Sequence, residues 1–349
     1  KNVATARYKN AAGEDVDKWT MMTESYSEMV GGTNGESVSG TYGCNYKFYL
    51  KENGSQNVVA FVTYTYPDSP AEQAGLKRGD VVLELGGKPL TTSNYTDLYY
   101  SPSVTLGVGR FVDRKYTAVE KTVSMSVKNM YEDPVIVTKV FDCGGKKVGY
   151  LLYTSFTFES SVALVEACKY FKQEGITELI LDLRYNGGGY VFTEEVLASM
   201  LAPEAEVKNG SVFETEVWNK KYMEAYKKQG TDLNTYFRTE FKQTFNSKYY
   251  NLNTSDANIG LTKIYALVTG SSASASEAIL VGLMPYMDIE VIGEQTHGKY
   301  CSGIMWKGAD WFKDIVENYK KNNYSFAEQH PQFTEWQKYI ADWGLYVMI

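Results

Sequence analysis

The sequence predicts an α/β protein of more than one domain, and three observations carry that reading. From Tyr42 the chain runs in short β-type segments broken by glycines, at residues 46–50, 58–64 and 81–85. Between residues 148 and 184 an apolar strand, an amphipathic helix and a second apolar strand follow one another. Around Tyr265 an apolar strand passes through a serine cluster into a segment with helical spacing. With 349 residues, 44% of them apolar, the chain can fill two or three separate cores.

Residues 1–40 read as an N-terminal appendage, polar and glycine-rich in its second half, with one helix predicted over 15–29. Residues 41–130 form the β-rich unit. Within it, Ser69-Pro-Ala-Glu-Gln-Ala-Gly-Leu-Lys-Arg-Gly-Asp80 reads as a short helix stopped by Gly75 and released through Gly79 into the strand 81–85 and a Gly86-Gly87 hairpin turn. Residues 131–349 are the second α/β unit. A strand at 148–153, a helix at 160–172 with Leu164, Cys168 and Phe171 on one face, and a buried strand at 178–184 imply a parallel pair with a right-handed crossover. Asn186-Gly-Gly-Gly-Tyr190 ends that strand, just before a helical pattern over 193–201. Residues 203–260 read as an insertion near a cleft, with a helical stretch at 217–228.

Charge and composition narrow the function. The 35 basic and 42 acidic residues give a net charge of -7, with no basic face to track phosphates, so nucleic acid is not an expected partner. No run reaches the roughly 20 apolar residues of a membrane span. The sequence opens at Lys1 without a secretion signal, which reads as a cytoplasmic protein or a mature form. Cys44, Cys143, Cys168 and Cys301 lack metal-type spacing and need not form disulfides, so neither a metal nor a cofactor is expected. The 29 tyrosines can build cores or line clefts that hold peptides or sugars.

The serine cluster has two readings. Ser274-x-x-Glu277 is a capping box, which ordinarily only satisfies helix donors. A serine at such a helix start also lies beside unpaired N–H groups and the positive end of the helix dipole, which suits a nucleophile whose attack creates an oxyanion. The Gly187–Gly189 run lets backbone N–H groups approach a ligand closely and matches neither a P-loop nor a dinucleotide fingerprint. Only two histidines exist, His297 and His330, and no G-x-S-x-G elbow occurs, so a histidine-based triad is poorly served. Lys299, after the glycine turn at Gly298, is the alternative base. Deprotonating a free lysine at pH 7 costs roughly 4.6 kcal/mol, a shift that burial in an apolar cleft can supply.

These motifs carry a resemblance. The "SPAEQAGLKRGDVVLELGGKPL" stretch resembles a PDZ domain over about residues 42–128, and that implies peptide binding by strand addition next to a carboxylate-binding loop near Gly43, Cys44, Asn45 and Tyr46. That loop departs from the family's Gly-Leu-Gly-Phe, which leaves a structural or gating role equally open. Together with "LILDLRYNGGG" (179–189), "SASASEA" (272–278) and "VIGEQTHGK" (291–299), the chain resembles the C-terminal processing, or tail-specific, proteases. These are Ser/Lys endopeptidases with a PDZ domain before a catalytic domain of crotonase/ClpP-like topology.

The resemblance implies Ser274 as nucleophile and Lys299 as base, since the family places its serine three residues before the glutamate (277 − 274 = 3) and its lysine 25 residues after the serine (299 − 274 = 25). It implies an oxyanion hole of Ala275 N–H with that of Gly189, or else Gly188. The implied partner is a protein or peptide substrate, cut by way of an acyl-enzyme, with sites near its C-terminus included. The implied location is extracytoplasmic, with a leader removed. Two departures accompany the match. Gly303 stands where many members carry a glutamine that orients the lysine, and the family's sheet continues beyond the strand that residues 343–348 resemble, which suggests that part of the natural chain is missing. The alternatives are a family member that binds ligands with weakened or lost catalysis, and a crotonase-like acyl transferase, for which no coenzyme A site is visible.

Overall fold

The computed structural model describes residues 20–31, 38–245, 248–321 and 333–348. The β-rich unit is a sheet whose strands lie in the order Lys121–Ser126, Ser103–Gly109, Val81–Leu85, Val58–Thr65, Cys44–Leu50. Alternation sets its faces: Val58, Ala60 and Val62 point into a core with Val82, Leu106, Leu76 and Leu98. The predicted short helix is Pro70–Gln73, capped by the Ser69 hydroxyl, which accepts from Glu72 N–H at 3.1 Å. Gly86 and Gly87, at φ 60° and 73°, make the left-handed turn that a two-residue hairpin requires.

The second unit is a five-stranded sheet in sequential order: β1 (Val135–Asp142), β2 (Lys147–Tyr153), β3 (Glu178–Asp182), β4 (Lys263–Val268) and β5 (Asp288–Gly293). β1 runs antiparallel to β2, and the other pairs are parallel, with Leu151, Leu181, Ala266 and Val291 in register across them. Three helices make the crossovers: α1 (Ser160–Glu174), α2 (Val191–Leu201) and α3 (Ala275–Leu283). α1 shows Leu164, Val165, Ala167, Cys168 and Phe171 to the core and stops at Gly175, whose φ of 70° closes the helix C-terminus. The core is continuous from Leu151 and Phe171 to Ile279 and Leu283.

Between α2 and β4 the predicted insertion is a helix (Glu204–Asn209), a hairpin of Val212–Thr215 with Asn234–Tyr236 that encloses the helix Lys220–Gln229, and a second hairpin of Glu240–Phe245 with Lys248–Asn253. The helix predicted over 15–29 begins outside the described residues. Within them lie a strand, Met21–Thr23, and a helix confined to Tyr26–Gly31. That strand pairs with Gly344–Met348, which in turn pairs with Gly303–Lys307, so the segment read as an appendage is one edge of a three-stranded sheet. Helices Gly308–Lys321 and Phe333–Ile340 follow the strand at Gly303.

Candidate active site

The C-terminal ends of β3 and β4 are where an open α/β sheet presents its ligand site, and here both carry the predicted motifs. After β4 the chain turns through Thr269–Ser272 and enters α3 at Ala275, so Ser274 is the N-cap. Its backbone is strained: φ 57° and ψ -120° are unusual for a residue with a Cβ and cost of order 1–3 kcal/mol. Three bonds hold it there. Ser274 N–H donates to Glu277 Oε2 at 2.9 Å, and the Ser274 carbonyl accepts from the N–H groups of Glu277 (2.7 Å) and Ala278 (2.8 Å). The other serines of the cluster have structural tasks. The Ser272 hydroxyl donates to the Leu183 carbonyl at 2.7 Å and the Ser276 hydroxyl to the Asn186 carbonyl at 2.9 Å.

The glycine loop lies against this turn. Asn186 is fully buried and organises it. Its side-chain amide donates to the Tyr153 carbonyl at 3.0 Å, its Oδ1 accepts from Gly188 N–H at 2.9 Å, and its backbone carbonyl accepts from Ala273 N–H at 3.1 Å. A side chain on Gly188 would come within 2.6 Å of the Ala273 carbonyl and 2.8 Å of Ser274 Cβ, so the loop and the serine turn are in direct contact. Gly188 N–H is thus engaged. The N–H groups of Gly189 and of Ala275, the first residue of α3, have no acceptor among the described residues.

Glu277 joins this turn to the segment after β5. Its carboxylate accepts from Gly298 N–H at 2.6 Å and Lys299 N–H at 2.9 Å, besides Ser274 N–H. Burial would raise its pKa, but the Thr296 hydroxyl and the N–H groups of Gly298, Ser274 and Lys299 outweigh burial and hold the carboxyl below its ordinary range. His297, the only histidine within the described residues, ties its N–H to the Ser272 carbonyl at 2.9 Å; His330 lies outside them. Lys299 is half-buried next to this cluster, and its Nζ makes no hydrogen bond to Ser274 Oγ. Catalytic hydrogen bonds are often long without substrate and tighten only in the Michaelis complex. Gly303 opens the strand beyond, where any side chain would overlap the Tyr346 ring, so a glutamine has no room there.

Because the folded Glu277 carboxyl titrates lower than the unfolded one, its contribution is present above the unfolded pKa of about 4.3 and is lost as pH falls through the folded value. Thermal stability and activity are expected to decline together below about pH 4. Glu277→Gln, which leaves at least one N–H facing an amide NH₂, should lose about 1–3 kcal/mol at pH 7 and with it this acid limb. Circular-dichroism melts across pH check this; an unchanged limb in the variant assigns it elsewhere.

The β-rich unit leans on the same end of the sheet. Lys47 Nζ donates to Ser271 Oγ at 3.1 Å, and Arg78 lies 4.0 Å from Asp182 and 5.5 Å over the Tyr185 ring. Burial disfavours the Asp182 charge, but Arg184 and the Tyr150 hydroxyl (2.7 Å) outweigh it and hold the carboxyl low. In the proposed peptide loop, Gly43 N–H donates to Thr41 Oγ1 (2.9 Å) and Tyr46 N–H to Asn45 Oδ1 (2.6 Å), while Cys44 starts the edge strand opposite Thr65. Tyr46 and Phe48 of that strand pack edge-on against Tyr99 of the helix Asp97–Tyr100, with ring centroids 5.8 and 6.0 Å apart. Among the described residues no group of three or more His, Cys, Asp or Glu side chains is placed to hold a metal. No described helix is long and apolar enough to cross a membrane.

Sheet order, paired helix N-termini and glycine loop define an α/β domain joined to a PDZ-like module. Residues 147–303 match the model of peptidase family S41, and residues 61–100, ahead of them, match that of the PDZ domain. It is 26% identical over 254 residues to a "Probable CtpA-like serine protease" of Staphylococcus aureus (strain N315), a match covering 71% of this chain and 43% of that protein. It is 23% identical over 253 residues to the "Carboxy-terminal processing protease CtpB" of Bacillus subtilis (strain 168), covering 71% and 45%. The matches thus span less than half the length of these relatives. A crystal structure of a protein assigned to the S41 proteases, from Bacteroides fragilis NCTC 9343, shares the fold with a TM-score of 0.59 at 24% identity, over 83% of this chain and 70% of that one.

Proposed function

We propose that the protein is a serine endopeptidase that hydrolyses peptide bonds in protein substrates, sites near their C-termini included, through Ser274 and Lys299. The observation that carries this reading is the Glu277 carboxylate, which receives N–H groups from Ser274 and Lys299 alike, both at 2.9 Å, and so fixes nucleophile and base against one another. Neutral Lys299 takes the proton from Ser274 Oγ as that oxygen attacks the scissile carbonyl. The tetrahedral oxyanion accepts from the unengaged N–H groups of Ala275 and Gly189; the bond from Gly188 N–H to Asn186 favours Gly189 over Gly188 for this role. The lysine ammonium returns its proton to the leaving amine, and water, deprotonated by the same lysine, releases the acid and restores the serine.

A second reading, a ligand-binding member with weakened catalysis, has in its favour the absence of a bond from Lys299 to Ser274 and the Tyr346 ring where an orienting glutamine would stand. Labelling with a serine-directed fluorophosphonate, followed by peptide mapping, separates the two. Adduct on Ser274 in the wild type, absent from Lys299→Ala, is the expected result. Equal labelling of both proteins removes the lysine from the mechanism.

A further inference from the structure

The insertion helix Lys220–Gln229 has well-formed ends yet buries none of its residues. At its start Asn219 Oδ1 accepts from Tyr222 N–H at 3.2 Å, and at its end Gly230, at φ 67°, donates its N–H to the Lys227 and Tyr226 carbonyls. Lys220, Met223, Glu224 and Lys227 face a cavity of about 480 Å³, shared with Thr215 and the segment 231–234, in place of a packed core. Helices are ordinarily held by an apolar stripe packed on the rest of the protein. Here the aromatic stripe points elsewhere.

Trp218, Tyr222 and Tyr226 succeed one another at four-residue steps and form a ladder, with ring centroids 5.7 and 6.1 Å apart. None of the three lines the cavity; Tyr222 is 49% exposed, and Val217, just ahead of them, is 86% exposed. The ladder is thus on a convex side of the helix, which meets a flat layer and does not enclose a chain. Lys221 and Lys227 lie about 100° around the helix axis on either side of the two tyrosines.

The helix carries four lysines against one glutamate, in a chain of net charge -7. Among the described residues none of these lysines forms an ion pair. Two acids near the helix ends are engaged otherwise: Glu216 accepts from Trp218 Nε1 and Asp232 from the Tyr236 hydroxyl, both at 2.7 Å. Positive charge without counter-charge, next to rings with an apolar body and a polar tip, matches the headgroup layer of an anionic bilayer.

We propose that this helix is a membrane-surface contact, which lies on anionic lipid headgroups with Val217, Trp218 and Tyr222 in the interface and its lysines against lipid phosphates. The assignment is independent of the peptidase reading. The acidic remainder of the chain is repelled by the same surface, so contact is confined to the insertion.

Co-sedimentation of the full chain with two kinds of vesicle tests this: phosphatidylcholine alone, and phosphatidylcholine with phosphatidylglycerol in equal parts. Binding is expected only to the second kind, and is expected to fall as salt is raised. Lys221→Ala combined with Lys227→Ala should lower the partition coefficient about tenfold or more, and Tyr222→Ala should lower it as well. All three side chains are exposed, so both variants should melt with the wild type. No binding to the anionic vesicles, or binding unchanged in the double lysine variant, overturns the proposal. Retention on immobilised polyglutamate without binding to vesicles also overturns it, and assigns the lysines to an acidic polypeptide instead.

Discussion

Ser274→Ala and Lys299→Ala are each expected to abolish cleavage of an unstructured protein such as casein, with losses of about 10⁴-fold or more, while both variants keep the wild-type melting profile. The stability half of this expectation follows from the bonds at both residues. Ser274 is held through its N–H and carbonyl, and Lys299 through its N–H, so neither side chain is needed to keep the Glu277 network. Lys299→Arg sharpens the test. Arginine keeps the charge and most of the length but cannot lose a proton near neutral pH, so a general-base role predicts a variant as inactive as the alanine one. Undiminished turnover in Ser274→Ala and Lys299→Ala would refute the Ser/Lys assignment.

The second large effect is expected at Gly189. Its φ of 152° lies where a side chain is strained, and a Cβ there would overlap the Phe156 carbonyl. That carbonyl accepts from Tyr190 N–H at 2.7 Å, while Phe156 N–H donates to the Gly188 carbonyl at 3.0 Å; this bridge fixes where Gly189 N–H points. Gly189→Ala should therefore displace the proposed oxyanion donor and lower kcat by about 10²–10³-fold, with KM changing little. Gly187→Ala is the control. Nothing lies within 4 Å of its Cβ position and its φ is ordinary, so its melting temperature should match the wild type. Equal kcat in Gly189→Ala and wild type would rule out that N–H as a catalytic donor.

Much of the framework is legible in the residues because it is local. The strand at 81–85, the helix stopped by Gly175 and the apolar strand into α3 rest on periodicity and end signals that a short window contains. The roles of Asn186 and Glu277 are not local. Glu277 reads as half of a capping box, and that half exists, but its bonds to Gly298 and Lys299 span 21 and 22 residues and depend on how β4 and β5 pair. Asn186 reads as the start of a glycine turn, and only the β2–β3 pairing puts Tyr153 within its reach. The same limit applies to the N-terminal segment, whose partner strand lies some 320 residues away.

The convergence on Glu277 has an entropic consequence. The serine turn and the lysine segment are separate stretches of chain, and bringing two such stretches into one arrangement costs conformational freedom. Here that loss is taken once, as the carboxylate gathers their N–H groups during folding. In the proposed mechanism a substrate would meet a serine turn and a lysine segment already tied to one carboxylate, so that mainly its own freedom remains to be lost.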